Sequence, residues 1–282
     1  MLSTKRKMDE SALNREAAFF FVRKSFFTLN EFLLIITILC VLSIILFPFL
    51  FRARSAMKTV QCAETLKRLT AANSAYNDEQ KCFAPAAISE NYRWFGQKEN
   101  RGGEPDFDFS DSPLYKYLGE DKRIKTCPSL AKLLKKNMPV YEKGGFGYGY
   151  NENIGSQRYY SQYDFWEKQC QSSGVSKKKI KEPEKTVMFT DTATKIDASG
   201  NVYINGTFAE AGFCKSYFIF NKGTPEWGTP EPTIHFRHGG HANVSWVDGH
   251  VSREKMTFSK DDWGKSYIGF FGPKDNTLFD PE

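Results

Sequence analysis

Residues 32–51 read FLLIITILCVLSIILFPFLF, twenty consecutive residues without a charge. An α-helix rises about 1.5 Å per residue, so this run covers the roughly 30 Å apolar core of a bilayer. A buried helix of a soluble core would normally show polar interruptions over such a length. A secretory signal peptide would have a shorter apolar run and a small-x-small cleavage site after it, but Arg52-Ala53-Arg54-Ser55 follows here. The stretch therefore predicts one membrane span that remains in the protein.

The rest of the chain is polar. The 282 residues have a mean hydropathy of −0.50, with 26% charged and 15% aromatic residues. This composition excludes a polytopic membrane protein and a disordered tail. Six cysteines are too few for a disulfide scaffold at this length. We therefore expect a leader, a helical spine and one head, and not two soluble domains.

The charges around the span predict its orientation. Residues 1–26 carry six basic and three acidic residues, whereas the near C-terminal flank carries three basic residues, Arg52, Arg54 and Lys58. Basic residues favour the cytoplasmic side, so the N-terminus is predicted to be cytoplasmic and the head to lie outside the cytoplasm. Half of the net charge of +6 lies in this leader. The head then has no basic footprint for nucleic acid.

The helix is predicted to continue beyond the membrane. Residues 52–76 are rich in alanine, leucine and lysine, which are good helix formers. Met57, Val60, Leu66 and Leu69, together with Ala53, Ala56 and Ala63, recur at spacings of three and four, as one face of an amphipathic helix requires. We therefore expect a spine helix over residues 27–78.

The residues just ahead of the span carry a specific pattern. Phe27-Thr28-Leu29-Asn30-Glu31 places a carboxylate at the head of a membrane helix, which costs free energy unless the carboxylate is paired. This segment, with the basic leader before it and the apolar helix after it, resembles the N-terminus of type IV prepilins and type II secretion pseudopilins. Pro48 also lies where that family carries a helix-kinking proline.

The resemblance implies a processing and assembly mechanism. A membrane prepilin peptidase would cut between Phe26 and Phe27 and methylate the new amine of Phe27. Glu31 would then pair with that amine of a neighbouring subunit, because a buried carboxylate is tolerable beside an ammonium group. The family usually has glycine before the cut, where this chain has Phe26.

The clearest element of the head lies near the C-terminus. Residues 242–252 alternate apolar and polar side chains around Asp248-Gly249, which predicts a β-hairpin whose two central residues both have positive φ. His238, nine further residues and then Asp248-Gly249 resemble the H-x9-DG element that ends many prepilin-like proteins. Cys127-Pro128-Ser129 and Tyr148–Asn151 look like further pieces of the same family's head.

Together these resemblances imply an α+β, pilin-like fold in which a long N-terminal transmembrane helix packs on a small antiparallel-sheet head. The expected parts are a basic cytoplasmic leader (1–26), the spine helix (27–78) and a periplasmic head with the H-x9-DG hairpin (79–282). The implied function is a structural subunit of a type II secretion pseudopilus or a related filament in the bacterial inner membrane. Its partners would be the membrane, the prepilin peptidase and other pilin-like subunits. The alternative is a membrane-anchored head that never polymerises and binds a polysaccharide or a protein, motivated by four aromatic residues, Tyr159, Tyr160, Tyr163 and Trp166.

The sequence favours no enzyme and no cofactor. Nucleophile-elbow, phosphate-loop and His-Glu-x-x-His patterns are absent from the sequence. The four histidines all fall between residues 235 and 250, but their spacing matches no zinc motif, and the acidic C-terminal segments lack the spacing of an EF-hand. We therefore assign no metal site, and zinc at the histidines and calcium at the acidic C-terminal segments stay open as alternatives.

The cysteines beyond the span can form disulfides in a periplasmic head. There are five of them, so at least one must stay unpaired within the chain. Cys62 lies on the predicted helix and is expected to be that one. The possible bridges are then among Cys82, Cys127, Cys170 and Cys214.

Overall fold

The longest element is a single helix, α1 (Leu29–Gln80), of 52 residues. The computed structural model describes residues 28–89, 91–98, 107–134, 144–155, 174–197, 203, 206–217 and 231–280. The chain divides into two compact units, 1–53 and 54–282, and α1 contributes to both. The leader predicted over residues 1–26 lies outside the described residues. The prediction of an α+β chain with one long N-terminal helix is confirmed.

In the first unit, the helix presents apolar side chains on all sides. Every residue from Thr28 to Ala53 is exposed. This is one helix that is long and apolar enough to cross a membrane, by length and composition. Pro48 lies inside it. A proline lacks the N–H that the helical ladder needs, yet the helix continues past it to Gln80.

In the second unit, the same helix buries one stripe of side chains. The buried positions recur at spacings of three and four, as one helix face requires, and are Cys62, Thr65, Leu66, Leu69, Thr70, Ala72, Asn73 and Asn77. Met57 and Val60 are 71% and 67% exposed, so the stripe begins at Cys62 and not at Met57. The Thr70 hydroxyl donates a hydrogen bond of 2.8 Å to Ser245 Oγ, which ties the stripe to the main sheet.

Among the described residues, the main sheet has five strands in the order β11-β10-β5-β4-β8. Their bounds are Tyr148–Asn151 (β4), Val187–Asp191 (β5), Phe213–Cys214 (β8), His241–Trp246 (β10) and Val251–Lys255 (β11). The β-branched and aromatic residues of 186–191 predict a strand, and β5 confirms it. The pairs are antiparallel except β4–β8, which is parallel. The sheet is mixed, and the prediction of a wholly antiparallel sheet is wrong at this edge.

Smaller elements surround this sheet. A three-stranded sheet joins β1 (Ala87–Ser89), β2 (Tyr92–Arg93) and β3 (Gly96–Gln97). Two-stranded sheets pair β6 (Thr194–Ile196) with β7 (Thr207–Ala209), and β9 (Ile234–His235) with β12 (Ile268–Gly269). A short helix α2 (Glu152–Gly155) follows β4. One-turn 3₁₀ helices cover Phe109–Asp111, Tyr115–Tyr117 and Lys177–Lys179, and a longer one covers Asp261–Ser266.

The C-terminal hairpin of β10 and β11 has a different turn from the one that Asp-Gly predicts. Ser245 pairs with Val251, and the Trp246 amide donates to the His250 carbonyl at 3.0 Å. Three residues, Val247, Asp248 and Gly249, therefore form the loop. Gly249 has a φ of +100°, whereas the φ of Asp248 is not positive. This is the longer class of hairpin, in which only the glycine needs the left-handed region.

The sheet and the helix stripe enclose an aromatic core. Phe189 on β5 stacks on Tyr150 with ring centroids 4.7 Å apart, and Trp94 meets Phe189 edge-on at 5.2 Å. The Trp94 indole N–H donates to the Gly212 carbonyl, so this large ring is buried without an unpaired polar atom. The sequence over 130–136 predicts a short helix, but residues 128–133 form turns where the structure describes them.

We predict that a position inside the buried stripe and a position just before it contribute very differently to stability. Leu66→Ala removes a fully buried side chain and is expected to lower the free energy of unfolding by about 2–5 kcal/mol. Val60→Ala, six residues earlier on the same helix and exposed, should change it by less than about 0.5 kcal/mol. Denaturant titration of the detergent-solubilised chain measures both, and equal effects would contradict the stripe.

Candidate functional site

Four buried side chains that could bind a metal or undergo redox chemistry meet in the head. They are Cys62 on α1, Cys127 in the loop before residue 128, Asp191 at the end of β5 and His238 in the turn before β10. Their sulfur, nitrogen and oxygen atoms all lie within 4.8 Å of one another. Residues of four separate chain segments form this group, which we call the Cys62 cluster.

Asp191 is the acceptor at the centre of the cluster. Its Oδ1 accepts from Arg237 Nη2 at 2.7 Å, and its Oδ2 accepts from the backbone N and side-chain Nδ2 of Asn243 at 2.8 and 2.9 Å. His238 Nε2 lies 3.3 Å from the same Oδ2. Burial alone would raise the pKa of Asp191, but the Arg237 charge and these hydrogen bonds hold it below its usual value. The carboxylate is therefore charged and fully engaged.

Arg237 connects the Cys62 cluster to nearby backbone carbonyl groups through hydrogen bonds. Besides Asp191, its guanidinium donates to the Thr192 carbonyl at 3.0 Å and to the Gly147 carbonyl at 2.6 Å, and its Nε donates to Cys127 Sγ at 3.0 Å. The Arg237 and Asp191 side chains are 2% and 0% exposed. A buried ion pair of this kind is costly to break from one side, because the remaining charge stays in an apolar interior.

The turn that follows His238 positions its imidazole ring in the cluster. Gly239 and Gly240 have φ of +64° and +79°, a region that suits glycine, and the His238 amide donates to the His241 carbonyl at 3.0 Å. The turn directs the His238 ring between Asp191 and Thr59, whose Oγ1 lies 3.3 Å from Nδ1. Burial disfavours its charged form, but Asp191 and Cys127 outweigh burial and raise the pKa of His238 to about 9.

The two cysteines of the cluster lie in contact. Both are fully buried free thiols, and Cys62 Sγ donates to Cys127 Sγ at 3.0 Å. That hydrogen bond lowers the pKa of Cys127 against the opposing effect of burial, and the Arg237 charge lowers it further. The same hydrogen bond and burial raise the pKa of Cys62. Cys127 is thus the better thiolate, and Cys62 its proton-bearing neighbour.

The H-x9-DG residues do not form one site. His238 precedes β10 and lies in the Cys62 cluster, whereas Asp248 and Gly249 lie in the loop at the far end of β10. Asp248 Oδ1 accepts from the His250 amide at 3.1 Å and lies 2.7 Å from His250 Nδ1. The motif therefore spans one hairpin, with a buried polar anchor at its start and a partly exposed turn at its end.

The four histidines are dispersed in the structure. His238 alone belongs to the Cys62 cluster among the described residues. His235 is buried and stacks on Phe208, His241 Nδ1 lies 3.0 Å from the Gly239 carbonyl, and His250 faces Asp248. Burial, and then the Arg237 charge, lower the pKa of His235 to about 3, so it packs as a neutral ring.

Glu31 lies in the first turn of α1 and is exposed. Its Oε2 accepts from the Thr28 amide at 2.8 Å and from the Thr28 hydroxyl at 3.0 Å, and its own amide donates to Thr28 Oγ1 at 3.3 Å. This reciprocal pattern is a capping box, which satisfies otherwise unpaired N–H groups at the helix start. Glu31 thus has a local structural role besides the assembly role that the resemblance implies.

The remaining predicted residues are only partly described. Phe26, Phe27 and Cys170 lie outside the described residues. Cys82 is half-buried and Cys214 is buried, and both are free thiols. Cys62, expected from its helical position to stay unpaired, instead faces Cys127. Sequence reasoning also missed Asp191 and Arg237; the buried strand ending in an acidic residue, and the arginine beside His238, were the available signals.

Comparison with protein-family models, curated proteins and solved structures finds no match for this chain.

We predict that the two acidic residues beside the histidines differ in their importance for stability. Asp191→Asn leaves Arg237 buried without its counter-charge and is expected to lower the free energy of unfolding by about 3–5 kcal/mol. Asp248→Asn affects an exposed pair with His250 and should cost less than about 1 kcal/mol. Denaturant titrations at one pH compare them, and a larger loss for Asp248→Asn would contradict the central role of Asp191.

The pKa of His238 also predicts a pH signature. Its folded pKa of about 9 exceeds the value of about 6.5 in an unfolded chain. The stability gained from its protonation is therefore complete below about pH 6.5 and lost as the pH rises through about 9. We expect the stability difference between the wild type and His238→Gln to shrink over that range in thermal unfolding. A difference independent of pH would show that the ring contributes by packing alone.

Proposed function

We propose that the protein is a pseudopilin-like structural subunit, anchored in the bacterial inner membrane by α1, of a type II secretion system or a related type IV pilus-like filament. The observation that carries the proposal is the change of character along α1: the helix is apolar and exposed up to Phe51, and from Cys62 it buries a stripe in the head. This is the division that a subunit needs if lipid holds one half before assembly and neighbouring helices contact it afterwards.

The exposed half of α1 supports a membrane or filament environment. Its large apolar side chains are 40–74% exposed between Leu29 and Phe51. Soluble monomers rarely leave such continuous apolar surface in water. Lipid can cover it in the membrane, and equivalent helices of other subunits can cover it in a filament. A subunit that moves reversibly between membrane and filament needs this apolar surface to be buried in both places, by lipid in one and by other subunits in the other.

Glu31 is the residue proposed to direct assembly. After cleavage between Phe26 and Phe27, the methylated amine of one subunit would neutralise Glu31 of its neighbour, which removes the penalty for burying that carboxylate. The capping box supports this proposal indirectly, because it orders the first turn of the helix around Glu31. The leader would keep the N-terminus cytoplasmic until cleavage, with the head in the periplasm.

The capping box allows the charge of Glu31 to be tested apart from its capping role. Glu31→Gln removes the charge, and glutamine can still cap the helix. Thr28→Ala removes the cap but keeps the charge. We expect Glu31→Gln to abolish subunit contacts, whereas Thr28→Ala should retain them with a modest loss of stability of about 1 kcal/mol.

The measurement is crosslinking in cells that supply a prepilin peptidase and an assembly machinery. Leu29→Cys with Leu33→Cys, in a Cys40→Ser background, places thiols on exposed positions beside Glu31. Ladders of crosslinked subunits that disappear in Glu31→Gln support the filament. Monomers in every variant would favour the second candidate, a membrane-anchored head that binds a polysaccharide or protein and does not polymerise.

Processing has its own measurement. Intact mass of protein extracted from membranes should show a chain that begins at methylated Phe27. A chain that retains Phe26 would contradict cleavage at this position and would also favour the anchored head, because Phe26 replaces the glycine usual in the prepilin family. The aromatic residues that motivate a binding head, at 159, 160, 163 and 166, lie outside the described residues.

A further inference from the structure

The contact between Cys62 and Cys127 joins two parts of the fold that are far apart in sequence. Cys62 belongs to the buried stripe of α1, and Cys127 lies in a loop of the head. Their sulfurs are 3.0 Å apart and both side chains are fully buried. A disulfide bond holds its sulfurs about 2.05 Å apart, so a shift of about 1 Å would bring these two into bonding distance.

A metal ion is the other chemistry that two cysteines, a histidine and an aspartate could support. Zinc holds thiolates at about 2.3 Å in a tetrahedron, which separates two sulfurs by roughly 3.8 Å, and the observed separation is shorter. Both oxygens of Asp191 already accept hydrogen bonds, from Arg237 and from Asn243. The Arg237 guanidinium also contacts Cys127 Sγ, where it would repel a cation. The donor set is therefore engaged within the protein.

We propose that Cys62 and Cys127 form a disulfide bond that fastens the spine helix to the head. The bond closes a long loop that contains the end of α1, the three-stranded sheet and two 3₁₀ helices. It also lies against Arg237 and His238, so it forms one wall of the polar group around Asp191. This proposal does not depend on filament assembly.

The chemistry is thiol–disulfide exchange with a disulfide donor, such as the disulfide of an oxidoreductase or oxidised glutathione. The Cys127 thiolate attacks one donor sulfur, a mixed disulfide forms, and the other donor sulfur leaves as a thiolate. Cys62 then loses its proton to solvent and attacks Cys127 Sγ, which breaks the mixed disulfide and releases the second donor thiolate. The donor gains two electrons, and the two cysteines together lose two electrons and two protons.

Burial determines when this exchange can take place. Both sulfurs are inaccessible in the folded head, so the donor must act before α1 and the loop of Cys127 have closed together. Once formed, the bond is protected from reductants by the same burial. We therefore expect a disulfide that resists reduction in the native protein and is reduced only when the head unfolds.

Peptide mapping of the full-length protein tests the bond directly. The protein is purified in detergent after alkylation of its free thiols under denaturing conditions. The expected result is a linked pair of peptides carrying Cys62 and Cys127, two hydrogens lighter than the reduced pair. Alkylation of both cysteines, or linkage of either to Cys82, Cys170 or Cys214, would overturn the proposal. It would also be overturned if the native protein contained about one equivalent of zinc that is released when both thiols are alkylated.

Refolding separates this proposal from the proposed function. The denatured, reduced full-length chain is refolded in detergent with oxidised and reduced glutathione. A Cys62–Cys127 bond that forms there supports the proposal whether or not the protein assembles in cells. If other pairings form or both thiols stay free in the refolded protein, the proposal fails even if filaments are observed.

Variants measure what the bond contributes. Cys62→Ala and Cys127→Ala should each lower the melting temperature by about 10 °C, because each removes the closure of a long loop. The double variant should lose little more than one single variant, since the bond is lost once. Cys82→Ser, a half-buried cysteine outside the cluster, is the matched control and should shift it by less than about 2 °C. Fully additive losses would indicate independent packing and overturn the bond.

Discussion

The head depends on the packing of one helix face against one sheet. From Cys62 to Asn77, α1 places side chains at spacings of three and four against β5 and β10, and the buried polar side chains of Thr70 and Asn73 find hydrogen-bond partners there. Ser245 on β10 takes part in several of these hydrogen bonds. Its hydroxyl accepts from the Thr70 hydroxyl and also forms hydrogen bonds with the Phe189 backbone. Because the interior is buried and tightly packed, each such group must find its partner within the protein.

The charged group around Asp191 follows from the same contact. The Asp191 carboxylate lies at the end of β5. Arg237 and His238, in the segment before β10, and Asn243, on β10, contact it. A buried carboxylate without these donors would be strongly unfavourable, so the group stabilises a particular register of β10 against β5. The first half of the H-x9-DG element therefore has a structural role in the head, whereas its Asp-Gly half determines a turn.

Some features followed from the sequence because they depend on local patterns. The charge-free run predicted the apolar helix, the spacing of Leu66 and Leu69 predicted its buried face, and the strand ending at Asp191 was recognised from its β-branched and aromatic residues. The hairpin at Asp248-Gly249 was also predicted, although its loop has three residues. The Asp-Gly dipeptide indicates that the chain reverses direction. The length of the loop is determined by the pairing of Ser245 with Val251, which depends on the packing of β10.

What the sequence determined by itself is therefore the long apolar N-terminal helix, its continuation into the head and the presence of a C-terminal hairpin, since these depend on composition and on periodicity over neighbouring residues. Only the tertiary structure decided that β8 pairs in parallel, that Asp191 and Arg237 form a buried pair, and that Cys62 meets Cys127. The last contact joins residues 65 positions apart. Helical periodicity showed which side of α1 Cys62 occupies, but no local pattern states which loop will cover that side. Long-range contacts of this kind are chosen by the packing of the whole head.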